Sequence, residues 1–333
     1  MAPNFYAGLL MMIHQNKEIY DIALSSPYNR LSPLFGMSGS LPPDVITFGP
    51  DATCTLDTCP IEWTVYGYRP SLAANITFMV LFGLGGVLHA ILGFRWKTWW
   101  FMSCMIVCSI NACIGYGGRV WLYYEPFSFD AFLMQMICIT IGPVWYCAAT
   151  YVILGQTTTY FAPSLSRVKP IFFYFGFVTC DIISLALQAA GGAMSSTSSG
   201  SSHIGIDLAL AGLAFQVATI VTFCSFLLDF IIRYFRSPQG RKAVTTIGPR
   251  LKIFFGFMFL AMLLTVVRSV YRLVELHEGY SGELIREEGL FIGLEGVLVV
   301  VSFYCLSIGH PGLVFKKSTK GSLEAGSEND VEL

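Results

Sequence analysis

Charge is scarce in this chain. Asp, Glu, Lys and Arg make up only 12% of its 333 residues, about half the roughly 25% usual in soluble globular proteins. With 54% hydrophobic residues and a mean hydropathy of +0.63, too little polar surface remains to coat a water-soluble domain. An ordinary soluble enzyme, a disordered chain and a fibrous chain are therefore excluded. The net charge of −1 offers no basic field for nucleic acid. Catalytic signatures are missing as well. There is no Walker A loop, no GxSxG, no Asp-Gly-rich phosphotransferase pattern, and no His cluster spaced as in membrane hydroxylases or zinc proteases. No enzymatic activity, cofactor or metal is expected, and protein partners are unspecified.

What is present is a set of apolar runs near 20 residues long, the length a helix needs to cross a hydrocarbon core about 30 Å thick. The alternating segments of roughly 10 residues that a barrel requires do not occur. The predicted class is an all-α integral membrane protein, a bundle of seven transmembrane helices. The spans fall at Leu72–Phe94, Trp99–Leu122, Ala131–Leu154, Pro170–Met194, Ile206–Ile232, Leu251–Leu273 and Gly289–Ile308. An odd number of spans cannot divide into two equal repeats of the kind many secondary transporters carry.

Orientation follows from the basic residues of the short loops. Arg95 and Lys97 lie in loop one, Arg167 and Lys169 in loop three. Arg233, Arg236, Arg241, Lys242, Arg250 and Lys252 surround loop five, and Lys316, Lys317 and Lys320 lie in the tail. The even loops hold little beyond Arg286, and loop four is the Ser-rich Ser195–Ser202. The odd loops and C-terminus are predicted to be cytosolic, and the N-terminus outside. Residues 1–70 then form an extracellular segment, 71–310 the membrane domain, and 311–333 a cytosolic tail whose polar composition predicts disorder. No cleavable signal peptide is expected: the first 15 residues lack a basic region, and Leu9–Ile13 is too short for an apolar one. Outside the cell, Cys54 and Cys59 are expected to form a disulfide. Asn75-Ile76-Thr77 fits the glycosylation sequon but sits too near the bilayer to be modified.

Ionisable side chains within spans are functional candidates by default. Here they recur at helical spacing. Asp181, Ser184 and Gln188 share a face of span four, ahead of Gly191-Gly192. Arg268, Arg272 and Glu275 share a face of span six. Glu288 and Glu295 align on span seven; Asn111, Gly115 and Arg119 on span two; Gly212 and Gln216 on span five. These stripes converge on the outer half of the bundle. Two readings stand together. One is a polar cavity lined by Asp181, Gln188, Arg268, Arg272, Glu275, Glu295 and Arg119. The other is bracing, in which Arg268 or Arg272 pairs with Asp181, Glu275 or Glu295. His89 reads as a packed or capping residue, His310 as a helix terminator before Pro311-Gly312, and Pro143 as a kink in span three.

At these positions the sequence resembles the fungal RTA-like family, the lipid-translocating exporters. The resemblance rests on Cys180-Asp181 through Gly191-Gly192, on Arg268-Ser269-Val270-Tyr271-Arg272-Leu273-Val274-Glu275, and on Gly279, Gly282, Glu288 and Glu295. It extends to Tyr68-Arg69-Pro70, Asn75, Gly115-Tyr116-Gly117-Gly118-Arg119, Gln135, Pro143, Gly212, Gln216 and His310-Pro311-Gly312, covering about residues 65–312. Glu295 and Ile292 depart from the usual Asp and aromatic, and Asn111-Ala112 lacks an acidic residue many relatives carry. The resemblance implies a seven-span bundle with an external N-terminus, usually at the plasma membrane. It implies outward movement of sphingoid long-chain bases and resistance to toxic amphipathic compounds. The partners would be an amphipathic lipid or sphingoid base and the surrounding membrane lipids. A seven-helix receptor or stress sensor is the alternative, although Gly155-Gln156-Thr157 stands where a receptor would carry a D/E-R-Y motif.

Overall fold

A computed structural model of the chain describes residues 49, 52–161, 170–197, 203–238, 240, 241, 245, 249–278, 283–312 and 314. Among these residues seven helices are long and apolar enough to cross a bilayer, and no strand occurs. They are α1 (Leu72–Trp96), α2 (Trp99–Tyr124), α3 (Phe129–Phe161), α4 (Pro170–Thr197), α5 (His203–Arg236), α6 (Pro249–Glu278) and α7 (Glu288–Ile308). The protein is an integral, multi-pass membrane protein. Arg167, Lys169, Lys242, Gly279, Gly282, part of the Ser-rich loop, the N-terminal stretch before residue 49 and the tail from 315 lie outside the described residues.

The helices start within three residues of the expected spans, but six of the seven run further at their C-terminal ends. Hydropathy marks the part that must be apolar. A helix is free to continue into the polar interface, as α5 does through Arg233 and Arg236. At 1.5 Å per residue the 33 residues of α3 extend about 50 Å, well beyond the hydrocarbon core.

Each helix packs against its neighbours in chain order, α7 closes the ring onto α1, and α3 also meets α6. Sequence explains these positions. Every residue from Val144 to Leu154 is buried, so α3 is apolar all round and sits against other helices on all sides. In α1 only one face is buried, through Asn75, Phe78, Phe82, Gly85, Gly86, His89 and Gly93. Its other stripe, Val80, Leu84, Val87, Ile91 and Phe94, is exposed, as a lipid-facing surface requires. Ser71 caps α1, its hydroxyl accepting from the Ala74 N–H, and Lys97 ends it in the left-handed region at φ 56°.

Two features frame the bundle's ends. Where α1 begins, Cys54 and Cys59 are joined as a disulfide, with Cα atoms 5.5 Å apart. This small loop packs with Trp63 on Phe127, between α2 and α3. Asn75 is buried and its amide donates to the Ser71 carbonyl at 2.7 Å, so it presents no free nitrogen for glycosylation. At the opposite end the rings of His89 and His310 lie 6.3 Å apart. His89 Nε2 meets the Ser307 hydroxyl at 2.8 Å, and His310 Nδ1 accepts from the Gly312 N–H at 3.1 Å, just past the end of α7.

Candidate functional site

The site begins with a close approach of two backbones. A Cβ on Gly118 would lie 3.0 Å from the Gln135 nitrogen and 3.1 Å from the Ala131 oxygen. Only glycine admits α3 this near α2, and the adjacent Arg119 thereby reaches Gln135. Arg119 Nη1 donates to Gln135 Oε1 at 3.1 Å and Nη2 to the Tyr68 hydroxyl at 3.2 Å. The guanidinium lies 3.8 Å from the centre of the Phe291 ring and 5.2 Å from that of Tyr66. Arg119 is fully buried and, among the described residues, forms no ion pair and leaves its Nε without a hydrogen-bond partner. Aromatic faces and neutral oxygens hold this cation in place of a carboxylate.

The segment before α1 covers this group. Thr64 accepts the Gly67 N–H at 3.0 Å, and Gly67 turns the chain at φ +70°, where a side chain would be strained. Tyr66 and Tyr68 flank that turn. The Tyr66 hydroxyl accepts from Gln135 Nε2. Burial raises both phenols above their ordinary range, against the opposing pull of the Arg119 charge. Both therefore remain neutral, as hydroxyls that accept hydrogen bonds must. Arg69 pins the segment by donating twice to the Tyr123 carbonyl, at 2.6 and 3.0 Å, and the Ser71 N–H donates to Glu288.

Among the described residues, α6 contributes its arginines to two ion pairs. Arg272 meets Glu275 at 2.7 Å, one turn away on the same helix. Nearer the middle, Arg268 pairs with Glu295 of α7; Nε donates to Oε1 at 2.9 Å and Nη2 makes a second contact to the same oxygen. Arg268 and Glu295 are buried. Arg268 Nη2 also donates to the carbonyl of Ile139 in α3, at 3.1 Å. That carbonyl is available because the residue four positions on is Pro143, which has no N–H to give it. Glu295 lies within Phe291–Val297, a stretch of α7 wound as a π-helix. Such segments inside α-helices occur frequently at functional sites.

Asp181 and Gln188 stand apart from these pairs. Asp181, in the middle of α4, is 1% exposed. The Tyr151 hydroxyl of α3 is its polar neighbour, yet neither carboxylate oxygen nor that hydroxyl attains hydrogen-bond geometry. One turn on, Ser184 is buried, and beyond it Gln188 Nε2 donates to Gln216 Oε1 of α5 at 3.0 Å. The α4–α5 approach depends on glycine. A Cβ on Gly212 would stand 2.8 Å from the Ser184 oxygen, and one on Gly191 2.4 Å from the Ala209 nitrogen.

The structure thus groups the expected residues differently from one shared cavity. Arg119 joins Gln135, Tyr66, Tyr68 and Phe291. The arginines of α6 pair with Glu275 and Glu295, and neither pairs with Asp181. The space between α1, α2, α3 and α7, lined among others by Phe82, Tyr116, Ile139 and Pro143, has a volume of about 10 Å³, room for one water at most. Tyr66, Phe291 and Tyr151 were not candidates from sequence, because aromatic residues are too common in a membrane protein to stand out.

A ring of seven apolar helices that buries paired and unpaired ionisable groups among the described residues defines a polytopic integral membrane protein. The chain belongs to the RTA1-like protein family, which matches residues 105–318. It is similar to the sphingoid long-chain base transporter RSB1 of Saccharomyces cerevisiae, 30% identical over 283 residues that cover 75% of this chain and 74% of that protein. Protein RTA1 of the same species is 30% identical over 267 residues, covering 72% and 83%. A lipid-translocating exporter-like protein RTA1 of Leptosphaeria maculans is 26% identical over 282 residues, covering 76% and 52%. No solved structure matches the chain.

Proposed function

We propose that the protein is a lipid exporter that moves sphingoid long-chain bases, or amphipaths of similar build, outward across the plasma membrane. By doing so it confers resistance to toxic amphipathic compounds. It is a transporter and not an enzyme. The end of the bundle that carries Tyr66 and the disulfide faces outside, and the C-terminus faces the cytosol, in keeping with the distribution of Lys and Arg.

The observation that carries this reading is the burial of Arg119, Asp181, Arg268, Glu275 and Glu295 within apolar helices. Each ionisable group inside a membrane costs at least about 2.5 kcal/mol, and such groups mark substrate and ion pathways. Likeness to relatives named as a sphingoid base transporter and a lipid-translocating exporter supports a cargo with an ammonium head and a long tail. The tail remains in lipid while the head passes the carboxylates. Asp181, Glu275 and Glu295 would receive the ammonium, with Gln188 beside the path. Arg119, Arg268 and Arg272 would set the carboxylates' charge and bind the head's hydroxyls.

A receptor or lipid sensor is the second reading. It is favoured by the tight interior, where a cavity of about 10 Å³ admits no head group without helix movement. Transport of a labelled sphingoid base into vesicles holding the purified protein separates the two. The expected result is movement well above that of protein-free vesicles. A well-folded protein that moves none would transfer the weight to the sensor. The orientation is tested by an epitope before Ala2, which antibody should reach on intact cells, and by a pH-sensitive fluorescent protein after Leu333, which should report cytosol.

A further inference from the structure

Of the three carboxylates buried among the described residues, Glu275 and Glu295 each hold an arginine, and Asp181 holds none. The helices packed against α4 are α3 and α5. From α3 come Tyr151 and Cys147, with Cys224 of α5 beside them. None of these supplies a positive charge. The cation that reaches this group, Arg268, is committed to Glu295 and the Ile139 carbonyl. An ionised carboxylate in such a place, with neither counter-ion nor hydrogen bond, would cost far more than the neutral acid, so the protonated form is the one the empty site favours.

A polar file leads from Asp181 in one direction. Ser184 and Gln188 follow it on the same face of α4, and Gln216 and Thr219 are buried on α5 opposite. From Asp181 to Gln188 the file climbs about 10 Å. It continues past Gly191-Gly192 to Ser195, whose hydroxyl bonds the Gly191 carbonyl. Ser184 and Thr219 turn their hydroxyls back onto the Asp181 and Phe215 carbonyls of their own helices, as Thr157 and Thr158 do on α3 towards the other end, and the amides of Gln188 and Gln216 link α4 to α5. Asp181 therefore lies at one end of a run of buried polar side chains that extends towards the α4–α5 end of the bundle.

We propose that Asp181 is the proton-carrying site of the transporter, loaded with a proton when empty of cargo and discharged when the cargo's ammonium takes its place. This rests on the export reading above. The exchange balances: when the site opens to the cytosol the O–H bond of the Asp181 carboxylic acid breaks, the proton leaves to cytosolic water, and the carboxylate left behind pairs with the incoming R–NH3+. Once the cargo departs outward, a proton from outside reloads Asp181 along the Ser184–Gln188 file. One proton is traded for one ammonium, so net charge within the protein is unchanged. A proton gradient then drives lipid export with no nucleotide.

The test uses the full-length protein, purified and reconstituted in phosphatidylcholine vesicles, with a fluorescent sphingoid base as probe and protein-free vesicles subtracted. In the wild type, a one-unit pH gradient should shift the steady-state distribution of the base up to about tenfold, the limit for one-for-one exchange. Asp181→Asn removes a carboxylate that receives the ammonium, so transport should fall severalfold, and what remains should not respond to pH. Asp181→Glu keeps the acid and should retain the response, which guards against misreading a variant that merely folds poorly. A second measurement needs no variant: in weakly buffered detergent solution, saturating wild-type protein with the base should release one proton per chain. Downhill transport with no gradient response and no proton release overturns the proton site and leaves the exporter standing. No protein-dependent transport at all overturns both.

Discussion

Arg268 donates to the one carbonyl of α3 that Pro143 leaves unserved, that of Ile139, at 3.1 Å. The proline is therefore more than a bend in the third helix. It opens an acceptor in the low-dielectric interior, and an arginine from α6, already bound to Glu295 of α7, occupies it. Three helices meet at one guanidinium.

Replacing Pro143 by Ala should return an N–H to the Ile139 carbonyl and place it in competition with Arg268. A hydrogen bond to a charged group contributes about 1.5–3 kcal/mol, so losing it should be felt in function while the local helix gains a bond. The expected outcome is normal expression with transport of sphingoid base reduced about tenfold, measured in reconstituted vesicles. Unchanged transport would reduce Pro143 to a shape residue.

The Arg268–Glu295 pair predicts an asymmetric mutant cycle. Removing one partner strands a buried charge, a loss of about 3–5 kcal/mol. Arg268→Gln and Glu295→Gln should each lower the thermal midpoint of the detergent-solubilised protein by several degrees. The double variant should recover most of it, because two neutral amides can bond each other. If the double variant is as unstable as the sum of the singles, the pair is not a bracing unit.

Arg119 should resist exchange for lysine. Its planar guanidinium stacks on Phe291 while donating to Gln135 and Tyr68, a geometry an ammonium does not reproduce. Arg119→Lys should destabilise nearly as much as Arg119→Gln. Tyr66→Phe leaves the Gln135 amide without its acceptor and should cost about 1–3 kcal/mol. Thermal melts of the three variants decide this; a lysine variant indistinguishable from wild type would remove the aromatic role.

Acid should weaken the end of the bundle that holds His310. Burial, and then the neighbouring His89 ring, lower its pKa to about 3, whereas the unfolded chain titrates near 6.5. A group depressed on folding binds its proton more readily in the unfolded state. Its stabilising effect is therefore complete above about pH 6.5 and is lost as pH falls towards 3. Moving from pH 7 to pH 5 should remove about 2 kcal/mol. His310→Gln should flatten that part of the pH–stability curve, measured as thermal midpoint against pH. An unaltered slope would mean that another group sets the acid response.

Cys54 and Cys59 should resist alkylation until reduced, as read by mass spectrometry. In the chain-entropy account a loop this short stabilises by about 2 kcal/mol. Cys54→Ser should loosen the Trp63–Phe127 packing without unfolding the bundle, seen as faster proteolysis ahead of residue 72. Two free thiols in protein from cells would remove the staple.

Much of the bundle was legible because a bilayer leaves few choices: 20 apolar residues form a helix, and ends follow from the loops. The starts of α1, α2 and α4 fell where hydropathy put them. The polar stripes were legible too, since Asp181, Ser184 and Gln188 do share a face and Gly212 does bring Gln216 to Gln188. What a single sequence lacks is partner choice. Arg268 had three acids within plausible reach, and the decision lay in the winding of α7. An α-helical reading aligns Glu288 with Glu295, but the π-helical stretch between Phe291 and Val297 inserts extra residue per turn and rotates Glu295 onto Arg268. Glu288 is left at the helix start to receive the Ser71 N–H. The lid of Tyr66 and Tyr68 was hidden for another reason: it lies before the first span, where no periodicity marks which side chains turn inward.

The glycine seam between α4 and α5 has a mechanical consequence. With Gly191 against Ala209 and Gly212 against Ser184, the two backbones touch with no side chain between them to act as a bearing. Surfaces in such contact neither roll nor tilt independently. The pair must travel as a single strut. Any rearrangement that opens the interior to cargo is then confined to the joints where larger side chains interleave, with Asp181 and Gln216 carried along in fixed register.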